Sequence, residues 1–159
     1  RYGFPIVQGQ IQPGEAESGE AVTELREIAK SFATDETIYL QDAAAGIGCP
    51  VIASVVGSDF MVIIAEPTKS SLSDMRRMIE LVGQFSIPYG VVINKYDLNP
   101  EMTDVITNEA EKTLLGTVSY DKNIVHELID VNPVYESGLP AVEEVRAIYK
   151  EIRKRVSQK

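Results

Sequence analysis

The sequence predicts an α/β protein, a mostly parallel sheet flanked by helices, and three observations carry that reading. Short, nearly continuous apolar runs at 37–42 (TIYLQD), 60–66 (FMVIIAE) and 89–95 (YGVVINK) read as strands covered on both faces. Between them the apolar spacing becomes helical, with Leu72, Met75, Met78, Ile79 and Val82 on one face. Strand and helix alternate along the chain, which favours parallel pairing through crossovers.

Taken in order, 5–11 (PIVQGQI) is a short strand candidate. A glycine-containing turn leads from it into a helix on which Ala21, Val22, Leu25, Ile28, Ala29 and Phe32 share one face. The 37–42 strand ends at Asp42, followed by a small-residue turn with Gly46. After the 60–66 strand, Pro67 and Thr68 open a loop, and Ser70, Ser71 or Ser73 is expected to cap the next helix. Lys69 and Asp74 face the same rim and are candidate contacts to a partner subunit. Weaker helices over 104–114 and 122–131 bracket a short strand at 115–120. The last helix, 140–156, has Pro140 near its first turn and Val142, Val145, Ile148, Tyr149 and Ile152 as its inner stripe. Its basic end complements the helix dipole.

Composition narrows the function. The 159 residues amount to about one domain, and no apolar run approaches the ~20 residues of a membrane span. A net charge of −9 argues against nucleic acid or an anionic membrane as partner. Cys49 is the single cysteine, so no internal disulfide forms, and a reducing compartment, the cytoplasm, is expected. His126 is the single histidine; a zinc site or a Ser-His-Asp triad would need residues from outside, and a solvent-facing or packed role is expected. The chain starts at Arg1 without Met or a signal sequence, which suggests a piece of a longer protein, although processing would give the same start.

Ligands of parallel sheets gather at the carboxyl ends of the strands. At the end of 37–42, Asp42 can hold Mg²⁺ or its water, and Gly46 lets a backbone N–H approach a terminal phosphate. The ordinary alternative for Asp42 is a turn or helix-capping aspartate. At the end of 89–95, Asn94 can meet a base edge, the stem of Lys95 can pack along it, and Asp97 can accept two guanine N–H donors. The stretch GEAESGEAV, 14–22, has the outline of a phosphate loop but not its chemistry. Glu20 stands where lysine is needed, Ala21 where Ser or Thr holds Mg²⁺, and Glu15 and Glu17 repel an anion. It is read as a lookalike, with Ser18 as the helix cap.

Together DAAAGIGCPVIAS, AEPTKSSLSD, IPYGVVINKYDLNPEMT and VSYDKN…NPVYE closely resemble the MinD superfamily of P-loop ATPases, in its cobyrinic acid a,c-diamide synthase-like, ferredoxin-insert branch. The likeness runs nearly the whole chain and matches the carboxyl-terminal part of those proteins. It implies a truncated P-loop NTPase-like domain over 1–159, lacking its first strand and phosphate loop. That loop, and a region with two [4Fe–4S] clusters, would precede Arg1. It further implies ATP and Mg²⁺ as ligands, a homodimer around the nucleotide, and coupling to an iron–sulfur module or partner protein. By the same likeness Asp42 is the switch aspartate near Mg²⁺, Gly46 the glycine near the terminal phosphate, and Asn94 the adenine contact, so Asp97 need not signal guanine. The sequence departs from the branch in having DAAAG where DGPPG is usual, and ESGE where ENSGK is usual.

Cys49 lies seven residues after Asp42, the spacing of a cluster-ligand cysteine in the related nitrogenase iron protein; a buried structural cysteine is the expectation here. The isolated piece is expected to lack ATPase activity and, without the central strand, to be marginal or self-associating. The rivals are a GTP-binding switch, from NKYD at face value, and a non-catalytic docking module with a decayed nucleotide site.

Overall fold

In a computed structural model of the chain, which describes residues 3–10, 18–34, 36–43, 46 and 48–157, three strands form one parallel sheet. β1 (Met61–Ala65), β2 (Tyr89–Asn94) and β3 (Leu114–Val118) lie in that order, with β2 central. Ile63 faces Val91 and Ala65 faces Ile93 across the first ladder, and Asn94 faces Val118 across the second. Gly90 to Ile93 are all buried, so β2 is covered on both faces, as its unbroken apolar run predicts. Gly90 is there for space: a Cβ at this position would lie 2.5 Å from Leu115 Cγ.

These strands belong to the second of two compact units, Asp59–Lys159. On one sheet face Ile63, Ala65, Val91 and Ile93 pack with Leu72 and Met75 of α3 (Lys69–Gln84) and with Ile106 and Ala110 of α4 (Pro100–Ala110). On the other face Val92 and Leu115 pack with Ile148 of α6 (Pro140–Ser157). The short α5 (Asn123–Ile129) buries none of its residues, and His126 on it is exposed.

Several local expectations are corrected. Thr68, not Ser70, Ser71 or Ser73, caps α3: its hydroxyl accepts the Ser71 N–H while Ser71 Oγ accepts the Glu66 N–H. The helix expected at 104–114 starts at Pro100, because Asn99 caps it through the Met102 N–H and proline suits a first turn. On α6, Ala141, Val142 and Ile148 are buried, but Val145 and Tyr149 are about half exposed. The helix sits on β3 by one side of its apolar arc, which lets its polar residues reach the strand. Arg155 donates to the carbonyls of Lys112 and Leu114, and Glu144 accepts from Ser119, so both ends of this outer strand are occupied by α6.

The other unit, Arg1–Ser58, holds α1 (Ser18–Lys30) and α2 (Cys49–Val55). The Arg26 guanidinium of α1 donates to the carbonyl of Ala53 at 2.7 Å and to that of Val56, joining the helices at the end of α2. Two strand expectations fail here. Neither 5–10 nor 37–42 joins a sheet; Ile38, Tyr39 and Leu40 are exposed, Leu40 at 89%. A segment with strand composition still needs a neighbour to take its amides and carbonyls, and among the described residues neither run has one. Residue 11 and positions 14–17 of the glycine turn lie outside the described residues; α1 begins at Ser18 with Glu20 in its first turn.

Candidate functional site

The carboxyl ends of β1, β2 and β3 form one rim, as parallel pairing requires. Asn94, half-buried, is the last residue of β2. Lys95 then turns left-handed, φ 54° and ψ 41°, directing the chain into a single 3-10 turn at Tyr96–Leu98. That conformation is uncommon for a residue with a Cβ. It is braced on several sides: Leu98 N–H bonds to Lys95 O at 3.1 Å, and the Thr103 hydroxyl donates to Tyr96 O at 2.6 Å. The Lys95 ammonium lies 2.7 Å from the carboxylate of Glu66, just beyond β1, so neighbouring strand ends are tied by charge. Both partners are over a third exposed, so this pair contributes placement more than stability.

Asp97 accepts the Tyr120 N–H at 2.8 Å, linking the turn after β2 to the loop after β3. From α6, Glu144 accepts the Ser119 N–H at 2.7 Å and the Ser119 hydroxyl at 2.9 Å. The rim therefore collects an amide side chain at Asn94, an ion pair at Glu66 and Lys95, and a loop held by carboxylates. Such a set can meet the donor–acceptor edge of a heterocycle and lay an alkyl stem beside it.

Of the sequence candidates, Asn94, Lys95 and Asp97 stand together at this rim. Asp42 and Gly46 belong to the first unit. Asp42 is exposed and, among the described residues, 37–42 has no ladder, so Asp42 ends no strand. Gly46 has φ 97°, a conformation favouring glycine, and among the described residues nothing lies within 4 Å of where a Cβ would be. Cys49 is exposed at the start of α2, which corrects the expectation of a buried structural thiol. Among the described residues no three His, Cys, Asp or Glu side chains gather as a metal site, and one exposed thiol does not make a cluster site. No helix among the described residues is long and apolar enough to cross a membrane.

Sequence reading missed Glu66, Ser119, Tyr120 and Glu144. The first three were within reach, since they directly follow strands whose ends form the rim. Glu144 arrives from a helix 25 residues after Ser119, and no local pattern announces it.

No protein-family profile matches the chain. It is similar to an uncharacterized protein of Methanocaldococcus jannaschii, 37% identical over 97 residues, covering 61% of this chain and 34% of that protein. An uncharacterized ATP-binding protein of the same organism is 32% identical over 126 residues, covering 76% of this chain and 47% of that one. Among solved structures, the cell division ATPase MinD of Pyrococcus furiosus superposes with a TM-score of 0.67 at 18% identity, over 86% of this chain and 59% of that one. The MinD of Pyrococcus horikoshii, complexed with Mg-ADP, gives 0.68 at 16% identity, over 86% of this chain and 57% of that one. The fold is thus that of the MinD-like P-loop NTPases. The chain spans less than half the length of the curated relatives it matches.

Proposed function

We propose that the chain is the base-side and switch-side portion of a MinD-like ATP-binding and ATP-hydrolysing switch protein, whose phosphate loop is carried on an amino-terminal segment. The observation that carries this reading is the β2 terminus: Asn94 at the strand end, followed by a left-handed Lys95 held by Glu66. The fold likeness supports it, and so does the ATP-binding relative. The outer side of β1 gives further support. Among the described residues β1 pairs only with β2, which leaves its other edge to accept a further strand. Ile64, on the sheet face opposite Ile63, is 66% exposed, an apolar spot on that face.

In this reading the Asn94 side chain reads the adenine edge, and Lys95 lines the base with its stem while Glu66 fixes its head. Asp42 accepts a hydrogen bond from a water, or takes a place beside Mg²⁺, and the Gly46 N–H donates to the terminal phosphate. Mg²⁺, when bound, supplies charge neutralisation on the phosphates. The parent protein would work in the cytoplasm as a homodimer and pass its switch motion to an iron–sulfur module or partner protein.

Titrating the full-length protein with Mg·ATP and Mg·GTP tests this. ATP is expected to bind more tightly, Asn94→Ala to weaken it about tenfold, and Asp42→Asn to abolish hydrolysis. Residues 1–159 alone should show no turnover. Tighter GTP binding, or Asp42-dependent turnover by these residues alone, would contradict the reading.

A further inference from the structure

Resting on the nucleotide reading above, we infer that Asp97 and Glu144 are positioning residues that clamp the Ser119–Tyr120 loop and so fix the base-side wall of the rim. Asp97 approaches from the turn after β2 and accepts the Tyr120 N–H on Oδ1 at 2.8 Å. Glu144 approaches from the first turns of α6 and accepts both the Ser119 N–H and the Ser119 hydroxyl on one oxygen, Oε2, at 2.7 and 2.9 Å. Two successive backbone amides of one loop are therefore held by carboxylates from two different elements. Hydrogen bonds to an ionised acceptor are roughly twice as strong as neutral ones. Peptide groups gripped in succession have little freedom to rotate.

The clamp sits beside the reading residue. Asn94 faces Val118 across the β2–β3 ladder, and Ser119 is the next residue of that strand's continuation. Where the loop is held decides how wide the space beside Asn94 is.

The clamp also changes what Asp97 means. A carboxylate that reads guanine offers its oxygens to two N–H donors of the base. Asp97 gives one acceptor site of Oδ1 to the Tyr120 amide, a structural role that holds whether or not a base is present. In the ATP reading Asp97 builds the wall and the base is met by Asn94.

Two measurements on the full-length protein test this: amide exchange at Ser119 and Tyr120 without nucleotide, and dissociation constants for ATP, GTP and xanthosine triphosphate. Glu144→Ala removes both bonds to Ser119 and is expected to speed exchange there and to weaken ATP, each by about tenfold. Glu144→Gln keeps an oxygen able to accept from both Ser119 groups, without the charge, and is expected to restore both values in part. Asp97→Ala should speed exchange at Tyr120 and weaken ATP similarly, and it carries the test from the other side where Glu144→Ala does not fold. Asp97→Asn should bind ATP and gain no affinity for xanthosine triphosphate.

Faster exchange in Glu144→Ala with ATP affinity unchanged overturns the clamp while leaving the nucleotide reading intact. So does unchanged exchange. A switch to xanthosine triphosphate in Asp97→Asn would make Asp97 a guanine reader and overturn the clamp and the ATP reading together. A wild-type protein that binds none of the three nucleotides removes both.

Discussion

Residues 37–42 and 89–94 are similar strings with opposite outcomes. TIYLQD and YGVVIN both mix β-branched, aromatic and aliphatic side chains. The second is β2, hydrogen-bonded to a strand on each side and buried through its middle. The first lies in the other unit, pairs with nothing among the described residues, and exposes Leu40. The difference is the neighbour. Strand propensity measures how well a segment fits a pleated surface that something else must supply. β1 shows a related dependence across the two sheet faces, with Ile63 buried under α3 and α4 and Ile64 on the opposite face largely exposed.

The largest expected effect lies at the paired end of the comparison. Ile93→Ala empties a fully buried position packed by strand and helix side chains, and should destabilise the second unit by about 3 kcal/mol. Chemical denaturation followed by exchange in α3 and α4 would read it; a loss under 1 kcal/mol would mean the sheet is looser than its packing implies.

In the first unit a polar contact joins the two helices beside the buried Val51 and Val55, and removing it should have a smaller effect. Arg26→Ala removes the guanidinium from the Ala53 and Val56 carbonyls and should cost α2 about 1–2 kcal/mol of local stability. Faster amide exchange across Val51–Val56 would report it.

Val131 sharpens the comparison in the opposite direction. It follows α5 with φ 57° and 79% exposure, a β-branched residue in a left-handed cap and packed against little. Asn132 N–H closes that cap onto Glu127 O at 2.8 Å. Val131→Gly should therefore stabilise the second unit by about 1 kcal/mol, seen as a higher denaturation midpoint.

The smallest effect is acid-dependent. The Arg76 hydrogen bond holds the Glu109 carboxyl below its ordinary range, tying α3 to α4. A lowered folded-state pKa gives stability that is present above the unfolded value and lost as pH falls through the folded one. Arg76→Ala should flatten that acid-side slope, and only slightly, since the pair is solvent-exposed.

These contrasts also explain what the sequence could reveal. The strands at 61–65 and 89–94 were legible nearly to the residue, because each is a continuous apolar run whose partners lie in the same unit. The one at 114–118 was expected at 115–120, two residues too far at its end. The 37–42 run has the same composition, but pairing is a property of two segments and cannot be read from one. On α6 the apolar arc is broad enough to dock in more than one phase, so Val145 and Tyr149 were assigned inward when Glu144 and Arg155 needed the approach to β3. α2 was missed because CPVIASV is too short to show a helical period. At the site, Asn94, Lys95 and Asp97 announced themselves by motif and strand end. Glu144 did not, because its contact depends on how a distant helix lies.

The most direct test follows amide exchange in the full-length protein with and without Mg·ATP. The account predicts that 37–46 is protected where a strand neighbour is supplied, and that segments 42–46 and 94–97 gain further protection when Mg·ATP binds. Unchanged exchange at both segments under saturating Mg·ATP would contradict it.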